Sequence, residues 1–317
     1  MDSTQLWTLT DGNAGNRRQA DALAAALTHG SVMDWVLEPQ APWSWCAPRA
    51  LPGASAAFGT SFSHALEQPP RLAIGCGRQG ALATRLLRQR GSTSVQILDP
   101  RIDPRHWDLV IAPEHDGLVG DNVITLVGSL NPVDTLWLAQ ARAAFASFAD
   151  LPRPRTAVLL GGPSAHARFD LAAFEALASQ LDAALAHEGG SVMVTTSRRT
   201  PTDVIAALRK RYVETPNVVW CGDADGINPY PGMLAWADRI VASPDSVNML
   251  SEACATEVPV FVFDPDRVSG RPRRFLDALL ARRRIRRMDT TLASFPVEPL
   301  RETARVAALV KQRLSLA

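Results

Sequence analysis

Short apolar runs recur along the chain, each closed by Gly, Asp or Ser and followed by a longer stretch whose apolar positions return at helical spacing. In the first half, the runs at residues 5–9, 71–74, 95–98, 109–111 and 123–125 predict strands. The first leads through Thr10-Asp11-Gly12-Asn13-Ala14-Gly15 into a helix over residues 17–27. The second leads through Gly75-Cys76-Gly77-Arg78-Gln79-Gly80 into a helix reaching residue 90. Continuous apolar strands alternating with amphipathic helices predict βαβ units on a parallel sheet. Residues 41–59 break the rhythm. Pro42, Pro48 and Pro52, with Trp43 and Trp45 between them, predict a loop that either packs down on its tryptophans or presents them to a partner.

A helix over residues 133–149 runs up to Leu151-Pro152-Arg153-Pro154-Arg155, where two prolines stiffen a connection. The βα rhythm then restarts. Strands are predicted at residues 156–160, 192–196, 218–221, 239–242 and 260–263, with helices over 171–187 and up to 212. The chain reads as two α/β domains, residues 1–150 and 151–317, with a ligand cleft between them. The last helix, residues 300–314, could pack on either domain, including back on the N-terminal one.

At 317 residues the chain is long enough for two cores, and 46% hydrophobic with 21% charged residues marks it as globular. A net charge of +1 supplies no overall field for nucleic acid. No stretch approaches the roughly 20 apolar residues of a membrane helix. The polar start Met1-Asp2-Ser3-Thr4-Gln5 carries no basic leader, so a cytoplasmic protein is expected. Cys46, Cys76, Cys221 and Cys254 lack a C-x-x-C spacing and read as reduced thiols rather than a disulfide or zinc site.

Four loops follow predicted strands and open predicted helices, at residues 11–15, 75–80, 161–164 and 244–248. In parallel sheets such loops gather at the carboxyl edge, where helix starts offer unpaired N–H groups to an anion. Gly12, Asn13, Gly15, Gly77, Arg78, Gly161, Gly162 and Ser164 are therefore candidate ligand contacts, although glycine also serves a tight strand-to-helix turn. Residues 75–80 meet G-x-G-x-x-G formally. The acid near the right separation, Asp99, precedes Pro100 in a loop, so the pattern makes a weak case for a nicotinamide-dependent oxidoreductase.

Ala112-Pro113-Glu114-His115-Asp116 sets an imidazole between carboxylates, either a general base or a loop histidine in a surface ion pair. Asp11 and His115 are the catalytic candidates. Ser197-Arg198-Arg199-Thr200 places two guanidiniums at a helix start, where they could clamp phosphate or sit on a solvated cap with Thr200 ahead of Pro201. Ser246 fits an N-cap, so its helix start, with Val247 and Met249, would face a phosphate. Glu252, about two turns on, could accept both ribose hydroxyls of a nucleotide or lie on the surface. Asp223-Ala224-Asp225 has a metal-type spacing but reads as a turn before Gly226. Arg271, Arg273, Arg274, Arg282, Arg283, Arg284, Arg286 and Arg287 are interleaved with Phe275, Leu276, Leu279 and Leu280. They predict an amphipathic helix whose basic face is either solvated or turned to an acidic acceptor or an anionic membrane surface.

Many of these stretches resemble, in order, the motifs of one family. They are residues 10–15 with Gln19, Gly77-Arg78, Asp99-Pro100-Arg101, residues 112–116, Asn122-Val123 and Gly128-Ser129-Leu130-Asn131. Gly161-Gly162-Pro163-Ser164, residues 197–200, Asn228-Pro229-Tyr230 and Asp245-Ser246 through Glu252-Ala253 complete the set. The family is the bacterial and plant group named after a plant mitochondrial-fission protein of the elongated-mitochondria type, and the match runs from residue 10 to about residue 287. The resemblance implies a glycosyltransferase-B-like α/β fold, with two Rossmann-like domains whose parallel sheets face each other across a cleft. It implies that the backbone of Ser246 and Val247 takes a diphosphate and that Glu252 takes the ribose. Asn228 and Tyr230 join the candidate contacts on the same ground. The chain departs from the family pattern at Ser243-Pro244, where threonine is usual, and at Glu257, where glycine is usual.

The function these readings imply is a metal-independent glycosyltransferase-like protein that binds a nucleotide-diphosphate sugar. The C-terminal domain would hold the donor through Gly161, Gly162, Ser164, Ser197, Arg198, Arg199, Ser246 and Glu252. The N-terminal domain would hold the acceptor near Asp11, Asn13, Gly77, Arg78 and His115. No cofactor and no metal is expected, arginines and helix dipoles meeting the diphosphate charge. The alternative is a non-catalytic adaptor that binds a protein partner or a membrane surface through Arg271–Arg287 and so lies peripheral to the membrane.

Overall fold

In the computed structural model, which describes residues 6–213 and 216–316, the chain divides into two compact units. Unit 1 comprises residues 1–132 and 302–317, and unit 2 residues 133–301. Unit 1 runs β1 (Leu6–Thr10), α1 (Ala14–Leu27), β2 (Val32–Val36), α2 (Trp43–Cys46), α3 (Gly59–Ala65), β3 (Leu72–Cys76), α4 (Gly77–Arg88), β4 (Thr93–Ile97), β5 (Leu109–Pro113) and β6 (Val123–Leu126). Its six strands are all parallel, in the order β2-β1-β3-β4-β5-β6. Alternation along β1 divides the core. Leu6 faces one cluster with Leu23 and Ile74, while Trp7 and Leu9 face another with Phe62 and Leu82. Every residue of β1, β3 and β5 is buried, which is why these strands are mainly apolar, with only Thr8 and Thr10 of β1 as buried hydroxyls.

Strand β2 was not expected. It is an exposed edge strand interrupted by Asp34, which accepts from Thr8 Oγ1 at 3.0 Å and from Arg17 at 2.9 Å. Residues 41–59 are not a bare loop; they hold α2 and a 3-10 turn at Ala54–Ala56 before α3. Trp43 donates to the Pro52 carbonyl at 3.3 Å and packs on the core, whereas Trp45 remains 74% exposed.

Unit 2 runs α5 (Thr135–Ala144), β7 (Arg155–Leu160), α6 (Leu171–Glu188), β8 (Ser191–Thr196), α7 (Thr202–Arg211), β9 (Asn217–Trp220), α8 (Tyr230–Trp236), β10 (Arg239–Ala242), α9 (Val247–Cys254), β11 (Val260–Val262), α10 (Gly270–Ala281) and β12 (Ile285–Arg287). Its parallel sheet has the order β12-β11-β10-β7-β8-β9. The units divide after Pro132, earlier than the prolines at Leu151 suggested, because α5 packs on α8. Arg142 donates to the Ala235 carbonyl at 2.8 Å, and Trp236 Nε1 donates to the Arg142 carbonyl at 3.3 Å.

The C-terminal helix α11 (Glu302–Leu314) joins unit 1, burying Val306, Ala307 and Val310 with Ala20, Leu23 and Ala24. The Gly128–Asn131 motif receives its start. Val127 N donates to Glu302 at 3.1 Å, Asn131 N to Thr303 Oγ1 at 3.0 Å, and Thr303 Oγ1 back to the Asn131 carbonyl at 2.7 Å.

The arginine run departs from the expected single basic helix. Helix α10 ends at Ala281, and Ile285–Arg287 form the edge strand β12. Arg273 and Arg287 both pair with Asp266, at 2.7 and 2.5 Å, and Arg286 lies 4.2 Å over the Phe295 ring. Arg284 is buried. Its guanidinium donates to the carbonyls of Ala253 and Cys254 at the end of α9 and of Thr256 and Val258 in the loop beyond it. No helix among the described residues is long and apolar enough to cross a membrane.

Candidate functional site

In unit 2 the chain starts at β7, winds outward through β8 to β9, then crosses to β10 on the other side of β7. The carboxyl ends of β7 and β10 therefore mark a topological switch point, where open α/β sheets bind ligands. The loops there are Gly161–Ser164 and Ser243–Ser246, and Ser197–Thr200 follows the adjacent β8.

Asp245 joins the three loops. Its side chain is fully buried, and it accepts from Ser243 Oγ at 2.6 Å, Gly162 N at 2.9 Å and Arg199 Nη2 at 3.0 Å. Ser243 Oγ in turn accepts from Gly161 N at 2.7 Å. Within the Ser243-Pro244 departure, Ser243 thus supplies a hydroxyl to the loop network. A Cβ on Gly161 would collide with the Asp245 carboxylate, and one on Gly162 would collide with the Arg199 carbonyl, so both positions require glycine for close approach. This changes the phosphate-cradle expectation for these two residues: both amides already donate within the staple.

The two arginines separate in the same way. Arg199 is anchored on Asp245 and reaches the Pro163 carbonyl at 3.3 Å. Arg198 is exposed, with no ion-pair partner among the described residues. Ser197 Oγ accepts from Arg199 N at 3.2 Å, and buried Thr200 donates to the Gly161 carbonyl at 2.5 Å rather than capping α7, whose N-cap is Pro201. Ser164 closes a local turn, its hydroxyl accepting from His166 N and Ala167 N at 3.2 and 3.1 Å. Asp223–Asp225 is a 3-10 turn in which Asp225 pairs with Arg209 at 2.6 Å. Among the described residues no group of three or more His, Cys, Asp or Glu is arranged to hold a metal.

Helix α9 opens at the switch point. Ser246 is its N-cap and accepts from Met249 N at 3.4 Å, while Val247 and Met249 are half-buried in the first turn. Glu252, 4% exposed, lies on the same helix one turn beyond Asn248, and its Oε2 accepts from the Tyr230 hydroxyl at 2.5 Å. Asn228 accepts from Tyr230 N at 3.0 Å and orders the start of α8. The structure therefore brings together Gly161, Gly162 and Arg199 through Asp245, and Tyr230 and Glu252 through one hydrogen bond. Asp245 and Ser243, which tie the loops, are not among the site residues expected from the sequence. The signal that could find them is a short acid and a hydroxyl directly after β10.

In unit 1 the switch point lies at β1 and β3. Asp11 braces its own loop: it accepts from Asn13 N at 3.1 Å, Asn13 Nδ2 at 2.7 Å and Asn16 Nδ2 at 2.9 Å. Gly12 lies within this brace, and Gly15 in the first turn of α1. Gly77 (φ 77°) opens α4, with Asn16 Nδ2 only 2.6 Å from where its Cβ would be. Arg78 donates to the Ser44 carbonyl at 2.7 Å, tying the Trp-rich segment to α4. The G-x-G-x-x-G pattern has a packing cause. A Cβ on Gly80 would collide with the Leu9 carbonyl, and one on Gly75 would lie 2.6 Å from the Gly80 carbonyl. His115 sits in the turn after β5, and three strand spacings, about 14 Å, separate β5 from the β1 strand of Asp11. The two catalytic candidates do not form one proton relay.

The sequence model of the family described as Mitochondrial fission ELM1 matches residues 14–314. The mitochondrial fission protein ELM1 of Arabidopsis thaliana is 30% identical over 277 residues, which span 78% of this chain and 64% of that protein. An uncharacterized protein of Rickettsia prowazekii, RP120, is 25% identical over 98% of this chain and 99% of its own length. Among solved structures, UDP-GlcNAc 2-epimerase from Neisseria meningitidis bound to UDP-GlcNAc superposes with a TM-score of 0.56 at 12% identity, covering 98% of this chain and 99% of that one. Os79 from O. sativa in complex with UDP gives 0.54 at 11% identity, covering 98% and 91%. These likenesses establish a fold of the glycosyltransferase-B type.

Proposed function

The chain belongs to the mitochondrial fission ELM1 family, and from that premise we propose that unit 2 binds a nucleotide-diphosphate sugar at the β7/β10 switch point, and that the protein transfers the sugar without a metal ion. The observation that carries this reading is helix α9, which presents a Ser246-capped start at the carboxyl edge and a buried Glu252 further along. Six residues at 1.5 Å rise separate them by about 9 Å. That distance is comparable to the reach from a diphosphate to the ribose hydroxyls. The diphosphate lies on the first-turn amides of Val247 and Asn248, favoured by the helix dipole, with exposed Arg198 as the arm that meets it. Glu252 accepts from the ribose. UDP and UDP-GlcNAc, bound by proteins of like fold, make uridine the first base to try.

Unit 1 supplies the acceptor side in this reading. Asp11 and His115 are both general-base candidates in this reading, to be tested by separate substitution. For the adaptor alternative through Arg271–Arg287, Arg273 and Arg287 share Asp266 and Arg284 is buried, while Arg282, Arg283 and Arg286 stay exposed.

Calorimetric titration with UDP, GDP, CDP and TDP tests the proposal. One nucleotide should bind, and Glu252→Ala should weaken it at least tenfold, about the worth of one hydrogen bond to a charged group. If none of the four binds, or if Glu252→Ala leaves the affinity unchanged, the reading fails.

A further inference from the structure

Glu252 is held by a residue from a different element. The Tyr230 hydroxyl, at the first position of α8, donates to Glu252 Oε2 at 2.5 Å, and the carboxylate is almost completely buried. A buried carboxylate takes the orientation its donors dictate. The donor here stands on rigid support. Asn228 fixes the backbone of Tyr230 from one side. Phe145 lies so close to Gly232 that a Cβ there would stand 2.5 Å from its ring, and Arg142 and Trp236 lock α8 to α5. The chain contains only two tyrosines, and the other, Tyr212, lies in the core cluster of unit 2.

We propose that Tyr230 is a positioning residue for ribose recognition: its hydroxyl sets the Glu252 carboxylate in the plane that receives the ribose hydroxyls, and it does not itself contact the nucleotide. The inference rests on the nucleotide reading of α9 above. It differs from the expectation that Tyr230 is a ligand contact. It also gives the Asn228-Pro229-Tyr230 motif a purpose, which is to deliver one phenol to one carboxylate from an ordered helix start.

The test compares UDP with 2′,3′-dideoxy-UDP by calorimetry on the whole chain, for wild type, Tyr230→Phe and Glu252→Gln, with a thermal melt of each free protein. Phenylalanine keeps the ring and its packing and removes only the donor. Wild type should favour UDP over the dideoxy nucleotide by about tenfold or more. Tyr230→Phe should lose most of that ratio through weaker UDP binding while its dideoxy-UDP affinity stays at the wild-type value. Glu252→Gln should lose the ratio as well. A tyrosine serving only as scaffold would weaken both nucleotides equally, or would lower the melt and leave the ratio intact, and either result overturns the inference. If Glu252→Gln abolishes the ratio while Tyr230→Phe retains it, the positioning role falls and the nucleotide site stands. If wild type binds neither nucleotide, the reading of α9 falls, and the positioning role with it.

Discussion

Removing the Asp245 carboxylate should damage unit 2 more than any other single change at the switch point. The carboxylate receives a serine hydroxyl, a backbone amide and a guanidinium, and its side chain is fully buried. Asp245→Ala leaves the Gly162 amide inside with no acceptor, leaves the Ser243 hydroxyl only the Leu159 carbonyl at 3.4 Å, and strands one end of Arg199. Deleting one partner of a buried ion pair costs about 3–5 kcal/mol. Arg199 is 46% exposed and can turn to water, so the lower end applies, about 3 kcal/mol. For a unit of this size that corresponds to a fall of about 6–12 °C in its melting temperature. Asp245→Asn keeps one acceptor oxygen but turns an NH₂ group toward donors, and should cost about half to two-thirds as much. Differential scanning calorimetry reads both. A melt for Asp245→Ala within about 2 °C of wild type would show that the three loops are held by something else, and the reasoning would be wrong.

Arg284→Ala should destabilise unit 2 by about 2–4 kcal/mol, because the carbonyls at the end of α9 and in the loop beyond it lose their donors. Arg284→Lys should recover only part of this in the same melt, since an ammonium cannot span that fork of acceptors. Burial pushes the Cys254 thiol up to about 11. The unfolded thiol ionises near 9, so the neutral buried form contributes stability that is full below pH 9 and lost as pH rises toward 11. Cys254→Ala should flatten that alkaline loss in urea titrations between pH 8.5 and 11; an unchanged slope would place its cause elsewhere.

The fold was largely legible because both sheets are buried on two faces, which makes their inner strands rich in apolar residues without a regular polar alternation. The two strands that escaped are edges: β2 is exposed and split by Asp34, and β12 is three residues long with two arginines. The same arginines concealed a change of element, since a buried guanidinium capping α9 and an exposed one look alike in a sequence. In the candidate site, Ser246 was legible as a cap because its chemistry is local. Asp245 was not, because its partners lie as many as 83 residues away. The glycines of both units read as phosphate cradles in the sequence. At Gly75, Gly80, Gly161 and Gly162 the position is set by what would collide with a side chain, a long-range fact that spacing does not carry.

Whether α9 holds a nucleotide from its first turn to Glu252 is decided by a crystal structure of the protein with UDP. Diphosphate oxygens should lie within about 3.2 Å of the amides of Val247 and Asn248, with both ribose hydroxyls on the Glu252 carboxylate. Nucleotide density bound elsewhere, or a filled site with the ribose turned away from Glu252, would contradict the proposed role of α9.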